Sequence, residues 1–595
     1  MDDRVERTAD TTQIQSVDRY DFVCAMTLWA MCSAFYVGIA QDYRTLPGYT
    51  VYDNLLFGAD HVDALRGWVG NHKGIHPLLP LVVVPLSAVF ESLTGSYELG
   101  LAVMSGCIGG FAVALFFLML RMLVDRVPSL GLSLLFGLSM NQMVFSGLPD
   151  SYVLVAISIM PSFMLLKYGL RTGNVPVVWW IAAGVASASI TISTLVQMAV
   201  CLIVLLFVQR KSMWKITRFV SVVCGGSLFL LAGLISVQRA VFPTTELFFA
   251  PQVYGYETQY LTPLIIDHPG AVADELIKSF WLFNFVGQDP LAVQYQPGLR
   301  LELVYFRAAV DYGWLSMAAV ISWLMMYVWG ARRTLSDRNQ RAFVTAAWLC
   351  VGTHLALHSF YSTDELFLYA PHYSFIVLLT AVSPSSTRQR SAQLGWLAVA
   401  LLVGVANHQT HARLIEKYGG PLPSWLLSAD AEWRFFPGTE EPPADWMQPA
   451  FGDQGWDQSQ GGFGYGPGFE GGSPGAGTEL EMRGQYSTVY FRTTVDVPDL
   501  QSVLDFYADI KYDDGFVLYL NGHQVLSQNA PPRVTYESVA NTEHDGIRFE
   551  RFHVPRQHWV AGQNCIALVA LNQRLRSTDF NLAFRLLKTD QSLRR

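Results

Sequence analysis

The chain has 595 residues, of which 51% are hydrophobic and only 15% charged. A soluble protein of this size carries about a quarter charged residues, and the deficit lies between residues 20 and 410, so the first two thirds read as membrane-embedded. The net charge of −8 argues against a nucleic-acid binder, which needs a basic face.

In chain order, residues 1–20 form a polar tail, and Asp21–Ala40 reads as a first transmembrane helix, because no short apolar segment with a cleavage site precedes it. Further apolar spans of membrane length are predicted near 99–120, 129–146, 151–167, 177–192, 194–208, 218–238, 305–330, 342–359, 366–383 and 394–410, giving about 11 transmembrane helices. The 177–208 stretch reads as a hairpin of two short helices or one bent helix, with Ser189, Thr191, Ser193 and Thr194 at the reversal. Pro77–Glu91 is apolar but short and broken by Pro77, Pro80 and Pro85, which fits an interfacial or re-entrant helix. Short connections carry Arg121 and Arg126; Lys167 and Arg171; Arg210, Lys211, Lys215 and Arg218; Arg332, Arg333, Arg338 and Arg341; and Arg388 and Arg390. The positive-inside rule puts these loops and the N-terminus in the cytoplasm. Loop 41–76, loop 239–304 and everything after 410 then face outward from the cell membrane.

Residues 411–429 read as a linker. From 430 to 595 short alternating runs such as Thr488–Val495, Val503–Ile510, Phe516–Leu520 and Cys565–Leu571 predict a β-sandwich. Tyr512-Asp513-Asp514-Gly515 and Asn521-Gly522 are hairpin-turn signals. The glycine-rich run Gly461–Gly477 has linker composition, but its place inside the strand pattern argues for an ordered loop. The fold class is therefore mixed, a polytopic α-helical membrane domain (21–410) followed by an all-β sandwich. The seven cysteines form no CxxC pair, and six lie in apolar spans, so they read as buried small hydrophobes.

The segment Tyr52–Pro80 packs Asp53, Asp60, His61, Asp63, Arg66, His72 and His76 into one loop where the chain first meets water on the outer side. Each has a plain structural reading beside the functional one. Asp60 suits the N-cap of a helix to about Val69, Asp53 a turn before Asn54, and Asp63 an ion pair with Arg66. His72 and His76 have HxxxH spacing, but Gly74 between them and Pro77 after them disfavour the helix a zinc site would need. Asp150 in SGLPDSY suits a ligand or the N-cap of a helix from Ser151. Asp513 and Asp514 read as turn residues rather than calcium ligands, and the C-terminal tryptophans as core rather than sugar platforms.

The order of parts in residues 20–410 resembles the GT-C fold of membrane glycosyltransferases that use lipid-linked sugars, the mannosyltransferase and aminoarabinose-transferase-like superfamily. The likeness rests on a first helix, an outer loop with Asp53 and Asp60, the Ile75-His76-Pro77-Leu78 start of a peripheral helix, Asp150 in a later outer loop, and Tyr361-Ser362-Thr363-Asp364-Glu365 leading to His372. The adjacent Asp-Glu pair that some members carry in the first outer loop is absent. Residues 430–590, with Trp433-Arg434-Phe435, Phe463-Gly464-Tyr465-Gly466, Tyr519-Leu520-Asn521-Gly522 and Ser577-Thr578-Asp579-Phe580, are similar to a galactose-binding-like jelly-roll module, a family associated with carbohydrate binding.

The resemblance implies transfer of a sugar from a polyprenyl-phosphate donor to a glycan, lipid or protein acceptor, with the sandwich binding glycan. Such transfer needs a base for the acceptor hydroxyl and positive charge or a metal near the departing phosphate. Asp60 is the first choice of base and Asp53 the second. His76 and Asp150 would support the donor. The metal is left open, with Asp60, Asp150 and His76 as the residues that would hold a divalent ion. Glu365 and His372, seven residues apart on one predicted helix face, would line the donor pocket. Arg300 and Arg307 would meet the phosphate, or anchor at the headgroups by snorkelling. Two other classes stay open: a non-catalytic membrane protein displaying a carbohydrate-binding module, and a transporter or flippase.

Overall fold

The computed structural model describes residues 17–46, 76–95, 97–241, 268–288, 291–296, 300–304, 312–361, 366–419, 424–466, 477–544 and 549–590, with single positions 247, 261, 265 and 469. Asp53, Asp60, His61, Asp63, Arg66, His72, Arg307 and Glu365 lie outside the described residues, and Arg300 is described by its backbone alone. The chain divides into two compact units, one helical and one mostly β.

The helical unit runs α1 (Arg19–Tyr43), α2 (Leu79–Thr94), α3 (Tyr97–Arg121), α4 (Arg126–Gly137), α5 (Met140–Gly147), α6 (Tyr152–Thr172), α7 (Val177–Ile190), α8 (Leu195–Val208), α9 (Met213–Val241), α10 (Pro269–Lys278), α11 (Trp314–Ser336), α12 (Arg341–His358), α13 (Ala370–Thr380) and α14 (Arg390–Tyr418). Each predicted span coincides with a helix or a helix pair, but the expected eleven crossings are not all present as such. Six described helices are long and apolar enough to cross a membrane, or seven if α4 and α5 count as one bent span. For three of the other four predicted spans the difference is length. Helices α7, α8 and α13 have 14, 14 and 11 residues, against the roughly 20 that about 30 Å of hydrocarbon requires. The 177–208 stretch is two short helices joined by a single 3₁₀ turn, Ile192–Thr194, where the Thr194 hydroxyl donates to the carbonyls of Ser187 and Thr191.

Small residues bring the first helices together. A Cβ on Gly110 would sit 2.3 Å from Ser33 Oγ, and one on Gly109 2.3 Å from Ser146. Close backbone approach through small residues is the usual packing device where water supplies no hydrophobic drive between helices. At the other end of α1, buried Asp21 accepts from Arg121 Nε and Arg126 Nε, both at 2.8 Å.

Helices α4 and α5 meet at a 61° bend. A break leaves backbone groups without helical partners, which is tolerated in a membrane only where neighbours satisfy them. Asn407 of α14, fully buried, does this. Its Nδ2 donates to Leu138 O at 2.8 Å and Phe285 O at 2.7 Å, and its Oδ1 accepts from Gly287 N at 2.9 Å. Asn141 N donates to Asn284 O and Met140 N to Phe285 O, closing the rest. Asn407→Leu removes three bonds while keeping the volume, and each orphaned buried group costs about 1–3 kcal/mol before relaxation. A net loss of about 2–3 kcal/mol is expected, read as a lower thermal midpoint of the detergent-solubilised chain. An unchanged midpoint would show that the break needs no such support.

The second unit is a sandwich. One sheet has the order β11 (His523–Gln528), β10 (Gly515–Leu520), β13 (Gly562–Leu571), β8 (Thr488–Val497), β4 (Glu432–Pro437) and β5 (Asp457–Gln460). The other has β12 (Glu550–Val554), β9 (Val503–Asp513), β14 (Phe580–Asp590), β6 (Phe463–Tyr465) and β7 (Thr478–Glu479), with β3 (Ser424–Leu427) also on β14. A separate two-stranded sheet joins β1 (Leu291–Gln296) to β2 (Arg300–Val304). Helix α14 continues to Tyr418 and β3 begins at Ser424, so regular structure enters the segment 411–429 from both sides.

Alternate residues of facing strands fill the interior, including Trp433, Phe491, Phe506, Ile510, Phe516, Leu568 and Phe584. The outer face of the first sheet carries a second small core, in which Trp446 and Trp456 cover Tyr490, Val517 and Cys565. All of Trp433, Trp446, Trp456 and Trp559 are buried, as the core reading of the tryptophans expected. Burial pushes the Tyr465 and Tyr486 phenols up to about 12.

Of the two hairpin signals, Asn521-Gly522 forms one. Leu520 pairs with His523 across a two-residue loop whose φ angles are 49° and 85°, the positive pair that an Asn-Gly turn provides. Tyr512–Gly515 does not. Strand β9 pairs with β12 and β14, and β10 with β11 and β13, so this turn carries the chain from one sheet to the other. The reason lies in contacts distant along the chain. Asp514 N donates to Leu571 O, while the Asp514 carboxylate accepts from His544 N at 2.8 Å and Gln573 N at 2.7 Å. Its side chain holds backbone and closes no hairpin.

Candidate functional site

Several helix ends of the helical unit bring imidazoles and tyrosines together. His76 precedes α2, and its Nδ1 donates to Ile190 O at 2.6 Å. Ile190 is the last residue of α7, so this histidine satisfies a helix-terminal carbonyl. It is 9% exposed, a packed group rather than a headgroup anchor. Gln238 of α9 fixes the same corner, donating to Pro77 O and accepting from Leu81 N.

His354 and His358 stand one turn apart near the end of α12, with ring centroids 6.1 Å apart. His372 lies in the first turn of α13, 6.3 Å from His354 by centroids. Its ring stacks on Tyr152 at 5.6 Å, and Tyr369 meets both His372 and His358 edgewise or tilted. All three histidines are at most 4% exposed. His76 lies within electrostatic range of His372. Phe280 and Tyr373, stacked at 3.7 Å, back the cluster.

Hydrogen bonds fix much of the proton placement, since a neutral imidazole has one N–H and one lone pair. Gln197 Nε2 lies 2.9 Å from His354 Nε2. An amide nitrogen only donates, so His354 Nε2 accepts and the ring proton sits on Nδ1. His358 Nδ1 lies 3.3 Å from Tyr361 O, so it donates and its Nε2 carries the lone pair. His354 Nδ1, His372 Nε2 and Gln197 Oε1 are buried without a hydrogen-bond partner among the described residues.

Asp150 is half-buried two residues before Tyr152, the residue that stacks on His372. Its Oδ1 accepts the Ser151 N–H, and Ser151 rather than Asp150 is the N-cap of α6, without a side-chain cap bond. Glu365 lies outside the described residues, and His372 sits in the first turn of α13, which starts at Ala370 with Pro371 in that turn. Among the described residues no group of three His, Cys, Asp or Glu could hold a metal ion. His76 and Asp150 do not make one without Asp60, which lies outside them.

His354, His358 and Gln197 carried no functional reading in the sequence, where Arg341–His358 passes as one more apolar span. The signal was the HxxxH spacing in Thr353–His358, two imidazoles on one helix face.

No family model matches the chain, and no curated protein matches it. Among solved structures it is similar to the arabinosyltransferase EmbB from Mycobacterium smegmatis, at 10% identity and a TM-score of 0.24, over 99% of this chain and 66% of that one. It is also similar to a β-glucuronidase of Bacteroides uniformis, at 12% identity and a TM-score of 0.19, over 28% of this chain and 18% of that one. A β-glucuronidase from an uncultured Clostridium sp. gives 13% and 0.19, over 28% and 29%. The chain thus spans just under two thirds of the arabinosyltransferase and under a third of the glucuronidases, and these scores establish no family.

Proposed function

We propose that the chain is an integral membrane glycosyltransferase that moves a sugar from a polyprenyl-phosphate donor to an acceptor on the outer face, by inverting displacement. The observation that carries this reading is the gathering of His76, His372 and Tyr152 at helix ends. The chain just before His76 is the loop holding Asp53 and Asp60, and Asp150 stands two residues before Tyr152. Asp60 would take the acceptor proton, with Asp53 the second candidate. His76 and Asp150 support the donor, Arg300 and Arg307 meet its phosphate, and Glu365 and His372 border the sugar. A divalent ion, where the reaction uses one, falls to Asp60, Asp150 and His76. The sandwich holds a glycan acceptor outside the cell membrane, and the N-terminus is cytoplasmic.

The test is transfer of radiolabelled sugar from a panel of polyprenyl-phosphate sugars by the purified full chain, with and without chelator. Asp150→Asn is expected to lower transfer at limiting donor by about tenfold, the worth of one hydrogen bond to a charged group. No transfer from any donor would sink the reading. Translocation of a lipid-linked sugar is the second reading, favoured by the broken pair α4 and α5, since discontinuous helices line many transport sites. Flux across a vesicle bilayer without transfer would select it.

A further inference from the structure

We propose that the imidazole cluster of α12 and α13 is a subsite for the sugar ring itself, recognising hydroxyl groups rather than phosphate or metal. The proposal rests on the transferase reading for its ligand class, a sugar presented at the membrane. The observation behind it is the pair of buried ring nitrogens, His354 Nδ1 and His372 Nε2, that have no partner among the described residues, on two helices whose imidazole centroids are 6.3 Å apart. Buried polar groups are almost always paired, and each exception asks for an occupant.

Three occupants can be weighed. A metal ion needs converging lone pairs. His354 turns an N–H, not a lone pair, to its open side, because Nε2 is taken by Gln197, and no metal-holding group of three exists among the described residues. A phosphate needs cationic or many N–H partners. The side chains that act electrostatically on His354 and His372 are other imidazoles, His358 on the first and His354, His358 and His76 on the second. Placing an anion there without a counter-charge is costly.

A sugar hydroxyl both donates and accepts, and the cluster offers both. His354 Nδ1–H is a donor and Gln197 Oε1 an acceptor. Tyr152 stacks on His372 and Tyr369 meets its edge, so the surroundings of these imidazoles are aromatic. Mixed donors and acceptors inside an uncharged aromatic wall fit a polyol better than an ion. In this assignment His372 touches sugar and not the lipid phosphate.

The test uses the full chain in lipid nanodiscs and saturation-transfer NMR with a panel of methyl pentosides and methyl hexosides at millimolar concentration. Inorganic phosphate is followed in parallel by ³¹P line width. At least one glycoside is expected to show transfer that falls about tenfold in both His354→Leu and His372→Leu, the worth of one lost hydrogen bond. Should a leucine variant misfold, ¹⁵N-histidine spectra of the unaltered protein give the same answer. The glycoside is expected to move the ring nitrogens of His354 and His372, and phosphate to leave them. The subsite is overturned if no glycoside signal depends on these histidines, as with a water-filled cluster, or if phosphate is what shifts them. Sugar transfer by a protein whose histidines touch no glycoside removes the subsite and keeps the transferase reading. Histidine-dependent glycoside contact without any transfer does the reverse.

Discussion

Asp509→Asn is expected to destabilise the sandwich by about 3–5 kcal/mol, the cost of breaking a buried ion pair by removing one partner. Asp509 of β9 is fully buried, and two arginines share it. Arg551 Nε reaches Oδ1 at 2.7 Å and its Nη2 reaches Oδ2 at 3.0 Å, a two-bond fork. Arg585 Nε reaches Oδ2 at 3.2 Å from the neighbouring strand β14. The register explains the meeting, because Asp509 is directly opposite Arg551 on one side and Arg585 on the other. Asparagine keeps the shape but removes the charge and turns an NH₂ toward a donor. Read as hydrogen exchange at the β9 and β14 amides, the loss corresponds to a roughly hundred- to few-thousand-fold acceleration. Charge arithmetic supplies the control. Arg585→Met leaves the Asp509–Arg551 pair intact and lets the thioether pack against Trp425 and Phe549, between which the guanidinium sits. It is expected to cost clearly less. If Arg585→Met were the worse variant, packing against those rings rather than charge would govern this face.

How far the sequence could be read depended on whether the deciding physics was local. The Asn521-Gly522 hairpin was legible because positive φ at two successive positions is a property of those two residues. Tyr512–Gly515 has equally good turn composition, yet its path is decided by bonds from Asp514 to His544 and Gln573, 30 and 59 residues away. The apolar spans were legible as helices because twenty uncharged residues have few alternatives in a membrane. Their lengths were not, since the hydrogen-bonded turn Thr191–Thr194 ends α7 and Pro371 marks the start of α13, local features that hydropathy does not register. The break between α4 and α5 was invisible for another reason, since Asn407, which satisfies it, comes 269 residues after Leu138. The histidine cluster divides the same way. His76 and His372 stood out beside loops, whereas His354 and His358 sat inside an apolar run and gain meaning only when α12 packs beside α8 and α13.

Asp60→Asn is expected to lower kcat for transfer by about 10²–10⁴, the usual contribution of a general base, with KM for the lipid-linked donor changed by no more than about threefold. The substitution separates the two readings of this residue that the sequence leaves open. An N-cap accepts the amide, because asparagine caps a helix about as well as aspartate, so a merely structural Asp60 predicts near-normal activity and stability in Asp60→Asn. A base does not accept it, because the amide cannot take a proton from the acceptor hydroxyl. Asp60→Ala adds the second axis. It removes both base and cap, so a capping role shows as a loss of about 1 kcal/mol in stability that Asn does not produce. Asp53→Asn completes the set, since a large kcat loss there with full activity in Asp60→Asn would move the base seven residues upstream. If both asparagine variants turned over within tenfold of the unaltered chain, neither carboxylate would be the base, and the proton would have to leave through another group. His76 is then the next candidate, because its Nδ1–H is held by Ile190 O and its Nε2 carries a lone pair. His76→Gln, which keeps a hydrogen bond to that carbonyl but cannot accept the proton, would then show the kcat loss that Asp60→Asn did not.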